Sequence, residues 1–211
     1  MNHINRSKNR RADFCRRAAG VAVAAAICCA AFAAPSPEDV GEDLAARNDA
    51  IVGELRRLRA DGELSPEDAL RLIRRELSPI IDFRRISGQS AGKYWRRASD
   101  DEKNEITAAF QDLLEGVYAK VLARYSDQEV RLVESKLRGD GTILAGVEVR
   151  DGERTARIEY VFYEKDGAAK ITDVLVEGVS LLDTYRRQFA RIAKKDGVAG
   201  LAARLREIAA K

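Results

Sequence analysis

Histidine and cysteine, the residues behind most acid–base and nucleophilic enzyme chemistry, are nearly missing from this chain. It has one histidine and three cysteines in 211 residues, and His3, Cys15, Cys28 and Cys29 all fall within the first 33 positions. Beyond them there is no imidazole general base and no thiol nucleophile. Cys/His zinc sites are excluded there. So are disulfides, which leaves the fold to its own core. No G-x-S-x-G elbow, P-loop or dinucleotide fingerprint occurs, so nothing in the chain harvests ATP. The Asp-Gly pairs lack the D-x-D-x-D-G pattern and later glutamate of a calcium loop and read as turns. Carboxylates are plentiful, but they sit at helix starts and on polar faces. A carboxylate-only enzyme, such as a glycosidase, is the class this composition leaves open.

The basic residues Arg6, Lys8, Arg10, Arg11, Arg16 and Arg17 precede an apolar run from Ala18 to Ala30 and an A-x-A signal at Ala31-Phe32-Ala33. This order reads as a cleaved secretory signal peptide over residues 1–33. The run is shorter than the roughly 20 residues of a membrane-spanning helix; an uncleaved anchor is the alternative. Ile27 or Cys28 ahead of a modified cysteine fits lipidation poorly, and the arginine pairs lack the Phe-Leu of a twin-arginine signal. The general secretory route is therefore expected. Removing those six basic residues and Asp13 from the 37 Lys+Arg and 34 Asp+Glu leaves 31 against 33, a net charge of −2. The basic balance belongs to the precursor and argues for no nucleic-acid partner. The basic stretches Arg56-Arg57-Leu58-Arg59 and Arg71–Arg75 read as solvated helix faces. Residues 34–211 suffice for one domain with its own core, expected to be a monomer.

Ser36-Pro37-Glu38-Asp39 and Ser65-Pro66-Glu67-Asp68 carry helix-start signals: a capping serine, proline at the first position, then acids facing the dipole. Val40, Leu44, Ile51, Leu55 and Leu58 follow the first at helical spacing, and Leu70, Ile73 and Leu77 the second. A short helix is expected around Ile80, Phe83 and Ile86. Ser99-Asp100-Asp101-Glu102 fits a capping box. It opens a long helix with Ile106, Phe110, Leu113, Leu114, Val117, Tyr118, Val121 and Leu122 on one face. From Glu129 the period becomes two. Val130–Leu137, Thr142–Val149, Thr155–Glu164 and Lys170–Glu177 read as strands joined by Gly139-Asp140-Gly141, Asp151-Gly152 and Asp166-Gly167. Helices near Leu181–Lys194 and Val198–Ala210 close the chain, separated by Asp196-Gly197. The fold class is α+β: a four-stranded antiparallel meander packed with amphipathic helices.

In the third strand Ile158, Tyr160 and Phe162 share one face, and Val161 and Tyr163 the other. In the fourth, Thr172, Val174 and Val176 oppose Ile171 and Leu175. A sheet with one face in water alternates apolar and polar. Here both faces are partly apolar, so the second face calls for either more helices or an apolar ligand in a cavity.

The joint Val176-Glu177-Gly178-Val179-Ser180-Leu181-Leu182, continuing to Tyr185-Arg186 and Phe189, resembles the MlaC-type (toluene-tolerance) family of periplasmic phospholipid shuttles. Gly92-Lys93-Tyr94-Trp95-Arg96 followed by Ala98 is similar to its G-x-Y-W-R element. Phe110 and Tyr118 match its aromatic positions in the long helix, Ile158-Glu159-Tyr160 matches a strand, and Lys170-Ile171-Thr172-Asp173-Val174 leads into the joint. Gly197 and Gly200-Leu201 fit its last helix. The likeness runs from about Pro35 to the C-terminus. The family usually has an aromatic where Ala169 stands, and often Asn at Thr184. A hopanoid-associated subgroup shares these features.

The resemblance implies a periplasmic carrier with no catalytic role and no cofactor. It would hold phospholipid acyl chains in an apolar cavity, leave the headgroup outside, and maintain outer-membrane lipid asymmetry. Its partners would be an outer-membrane lipoprotein complex and an inner-membrane ABC transporter with a lipid-binding ring. Two tails carry about 30 methylenes, so exposing them to water costs on the order of 20 kcal/mol. A domain of this size has a radius of gyration of about 16 Å, enough to enclose a tail about 15 Å long. The expected walls are Phe110, Leu114, Val117 and Val121 from the long helix; Tyr160, Phe162, Val174 and Val176 from the sheet; and Val179, Leu182, Tyr185 and Phe189 from the joint and last helices. Trp95 caps the mouth or joins the core. Gly178 permits a turn that a β-carbon hinders. Arg186 and Arg187 face water, a phosphate or a partner. Two rival readings stand beside the carrier: an enzyme using Glu159 or Asp173 inside the cavity, and a periplasmic chaperone or adaptor.

Overall fold

The computed structural model describes residues 34–210; the segment read as a signal peptide, with His3 and the three cysteines, lies outside the described residues. Four helices come first: α1 (Pro37–Asp61), α2 (Pro66–Glu76), α3 (Phe83–Ala91) and α4 (Asp100–Leu122). Reciprocal capping boxes start α1, α2 and α4, through Ser36 with Asp39, Ser65 with Asp68 and Ser99 with Glu102. Each serine hydroxyl accepts the acid's amide N–H, and the carboxylate accepts the serine's. Two otherwise orphaned donors are satisfied at each start.

The strands β1 (Glu129–Leu137), β2 (Ile143–Asp151), β3 (Arg154–Lys165), β4 (Ala168–Val176) and β5 (Val179–Ser180) form one antiparallel sheet in chain order. The predicted meander is there, with one strand more. β5 has two residues, too few to show an alternation. The turn before it, Glu177-Gly178, has positive φ at both residues (50° and 74°), the geometry of the tight turns that suit strand twist. No atom lies within 4 Å of where a Gly178 Cβ would stand, so the glycine serves the backbone angle, not a close approach. Asp173 ties the joint together. Its Oδ2 accepts the Ser180 hydroxyl at 2.6 Å, and its Oδ1 accepts the Val174 and Leu182 amides at 2.8 and 3.0 Å. The last helix, α5 (Leu181–Ala209), breaks at Gly197 (φ 73°, ψ −172°), where the sequence separates two helices.

Cross-strand register decides which residues share a face. Ile143 pairs with Phe162, Ala145 with Tyr160 and Val147 with Ile158; Tyr160 pairs with Val174 and Ile158 with Val176. An irregularity opposite Val161 and Phe162 leaves Thr172 without a partner across the strand and turns its hydroxyl to Arg85 and Gln89 of α3. α1 lies on this face over β1 and β2, burying Val40 and Leu44 against Ile143, Ala145, Val147 and Phe162. A second, helical core joins α3, α4 and α5 through Phe83, Ile86, Ile106, Phe110, Leu113, Phe189, Leu201 and Leu205.

The expectation that the second sheet face needs helices or a ligand is corrected. Helices and hollow share the first face. The second carries Arg157 bonded to Glu134 and Glu159, with Leu144 and Val161 buried beside them as a cross-strand pair. The edge of β4 is occupied at two places: Ile81 bridges Ile171 near one end, and β5 pairs with Leu175 and Val176 at the other.

Candidate functional site

Between the sheet and α2, α3, α4 and α5 lies a cavity of about 420 Å³, within the roughly 300–1,000 Å³ of small-molecule sites. Its floor is Ile158, Tyr160, Ile171, Val174 and Val176. Its roof comes from Phe83 and Ile86 of α3, Phe110, Leu114, Tyr118 and Val121 of α4, and Leu182 and Tyr185 of α5. Most of the lining surface is apolar. Van der Waals contact and the exclusion of water are what such a surface supplies.

Eight of the residues singled out from the sequence meet here: Phe110, Leu114, Val121, Tyr160, Val174, Val176, Leu182 and Tyr185. Five do not. Phe162 is on the anticipated face, but it is buried in the core under α1 with Val40, Leu44 and Ile143. Phe189 is fully buried behind the wall, edge-on to Phe110 at 4.8 Å and 66°. Val117 and Val179 are exposed. Val117 sits one turn before Val121 on α4, and Val179 pairs with Val176. Val121 and Val176 both line the cavity, and they are 63% and 37% exposed. The opening therefore lies between the end of α4 and the β4–β5 hairpin, with Val117 and Val179 on its lips. Trp95 is not at this mouth. Its ring packs 3.1 Å from where a Gly88 Cβ would be, beneath the Arg84 guanidinium at 5.6 Å. It lines a separate open cleft on the other side of α3, with Arg85, Tyr163 and Lys165.

The sequence reading missed the α2 and α3 contributions, Ile73, Leu77, Phe83 and Ile86, and it missed Ser90, Glu115 and Tyr118. The apolar stripes were visible, but a stripe does not say what it faces. Glu115 had a signal: it stands on the apolar side of α4, next to Leu114. It is 2% exposed and accepts from Arg74 Nε at 2.7 Å, Gln111 Nε2 at 2.8 Å and Ser78 Oγ at 2.8 Å. Burial opposes its charge, yet the hydrogen bonds from Arg74, Gln111 and Ser78 outweigh that and hold its pKa below the usual carboxylate value. It is an anion with both oxygens engaged, which ill suits it to proton transfer. Of the two acids named for a rival enzyme, Asp173 does line the cavity, with its oxygens accepting from Ser180, Val174 and Leu182 in the joint; Glu159 does not, and is paired with Arg157 on the far face of the sheet. The tyrosines are the other titratable groups of the wall. Burial pushes Tyr160 up to about 12. It also raises Tyr118 and Tyr185, with the nearby Tyr185, Tyr160 and Asp173 adding to the shift at Tyr118. All three hydroxyls are neutral donors at physiological pH.

Among the described residues no cluster of three side chains could hold a metal ion, and no helix is long and apolar enough to cross a membrane. The comparisons with known proteins agree with one another. The chain is 24% identical over 143 residues to the intermembrane phospholipid transport system binding protein MlaC of Haemophilus influenzae, covering 65% of this chain and 67% of that one. It is 23% identical over 167 residues to the toluene tolerance protein ttg2D of Pseudomonas putida, covering 78% and 76%. Its fold matches the phospholipid-binding protein from Ralstonia solanacearum, solved in complex with a phospholipid, with a TM-score of 0.71 and 23% identity over 81% of this chain and 96% of that one. The sequence profile of the MlaC protein family matches residues 47–207, well over half of the chain, and the chain belongs to that family.

Proposed function

We propose that this protein is a periplasmic phospholipid carrier. It takes acyl chains into the cavity, leaves the polar head outside, and moves lipid between outer-membrane and inner-membrane complexes. The observation that carries this reading is the hollow itself: an apolar space whose opening is rimmed by exposed valines, where a packed core would be solid. The names of the relatives, one an intermembrane phospholipid transport protein, support it. So does the phospholipid bound by the structural neighbour. Residues 1–33 act as the export signal in this reading. In this reading the protein shelters hydrocarbon, which needs no proton transfer, and the hydrogen bonds that Glu115 and Asp173 accept within the fold support it.

The test is native mass spectrometry of the protein purified from periplasm, with lipid extraction of the same sample. A fixed ratio of bound phospholipid is expected. Bound hopanoid would change the cargo but keep the carrier. A mass that stays lipid-free after incubation with phospholipid vesicles would overturn the proposal and favour an adaptor that binds protein through the same opening.

A further inference from the structure

A cavity meant only for hydrocarbon has no use for hydroxyls, and phenylalanine would fill the same space as tyrosine. Yet Tyr118 on α4, Tyr160 on β3, Tyr185 on α5 and Ser90 on α3 all line this one cavity. The Ser90 hydroxyl is buried without a hydrogen-bond partner among the described residues. Burial accounts for the raised pKa of Tyr160 and Tyr185, with no protein hydrogen bond contributing. A hydroxyl turned into an apolar space without a partner is unfavourable. The unpartnered hydroxyl of Ser90, on a wall shared with three tyrosines from three other elements, marks a place where the occupant brings oxygen.

The donors narrow what that oxygen is. They are neutral, and among the described residues the charged groups lining the cavity are the carboxylates of Glu115 and Asp173, so a phosphate would be stripped of water with nothing to balance it. A neutral, acceptor-only group fits. We propose that the hydroxyls of Tyr118, Tyr160, Tyr185 and Ser90 form an internal polar site for the ester carbonyls of a diacyl lipid, so that the cavity selects ester-linked over ether-linked chains. This rests on the carrier reading. A site that hydrogen-bonds its ligand rejects the analogue lacking the acceptor, because its own buried groups are left unmatched.

The experiment is a competition. Lipid-stripped protein is incubated with vesicles containing equal amounts of a diacyl phosphatidylcholine and the dialkyl-ether phosphatidylcholine of the same chain lengths. Native mass spectrometry then reads the ratio bound. The wild type should favour the ester by roughly tenfold. Tyr118→Phe, Tyr160→Phe, Tyr185→Phe and Ser90→Ala, each of which keeps the shape of the wall, should bring the ratio towards one. Equal binding of the two lipids by the wild type would overturn the polar site and leave the carrier standing. An ester preference that all four variants retain would overturn the assignment to these hydroxyls. If neither lipid binds, the carrier reading falls and this inference with it.

Discussion

Over β1 and β2 the helix layer touches the sheet; over β3 and β4 it stands away from it. The two regions share one sheet face and similar apolar residues, so composition alone does not separate them. The difference lies in the size of the side chains at the contact. On the closed side Gly41 of α1 brings the backbone so near that an added Cβ would meet the Ser135 Cβ at 3.1 Å and the Leu132 Cδ2 at 3.3 Å. Ser135 also donates to the Pro37 carbonyl at 2.6 Å, and Ala145 on β2 leaves room for Leu44. On the open side Tyr160 projects from the sheet while Phe110, Tyr118 and Tyr185 project from the helices. Behind them the aromatic edges of Phe110, Tyr185 and Phe189 interlock at 4.8–6.2 Å, which braces the roof against collapse. A hollow is kept by a rigid second layer, not by a shortage of hydrophobic residues.

Breaking the solid side should cost the most stability. Leu44→Ala, at a fully buried position, should lower the unfolding free energy by about 2–5 kcal/mol in urea titrations while leaving bound lipid per folded molecule unchanged. The Glu115 anchor comes next. Glu115→Gln should cost about 1–3 kcal/mol at pH 7. The wild-type carboxylate has a lowered pKa in the folded state, so its contribution is full above the ordinary value of 4.5 and fades as the pH falls from there towards the folded pKa. The gap between variant and wild type should therefore narrow in denaturation series carried below pH 4.5; a gap that stays constant would remove Glu115 from the acid response. On the hollow side the sign changes. Val174→Trp fills space instead of overpacking it, so stability should move by less than about 1 kcal/mol, while co-purifying lipid drops at least severalfold. Val176→Glu at the rim should alter stability least, by under about 0.5 kcal/mol, yet abolish loading; unchanged lipid content would take Val176 out of the wall.

The capping boxes and the meander were legible because local chemistry specifies them: serine, acid and proline at fixed offsets, and turn residues between alternating runs. Tyr160, Val174 and Val176 were placed on the correct face by alternation alone; Ile171 was placed opposite Val174 and shares its face, because the irregularity at Thr172 breaks the alternation of β4. Phe162 was assigned to the cavity by the same rule and is core, because alternation gives the face and not which stretch of the strand a helix covers. That depends on which helix crosses which strand, a long-range matter. Phe189 illustrates the equivalent limit for a helix: its apolar side is broad enough for one turn to face the hollow and the next to pack behind it. Glu115 could be found only by asking why an acid interrupts an apolar face, and its three donors come from two helices and a turn.

The edges of the sheet bear on a different matter, how these molecules behave in a crowd. An open strand edge invites a strand from another molecule to add to it. On β4 the groups at Ile171 and at Leu175 and Val176 are already taken by Ile81 and by β5. On β1 the ladder is interrupted at Val133 and carries Arg131 and Lys136 outward, which discourages pairing. A protein with bare valines around its opening thus has the usual backbone route to fibres obstructed at both edges of its sheet.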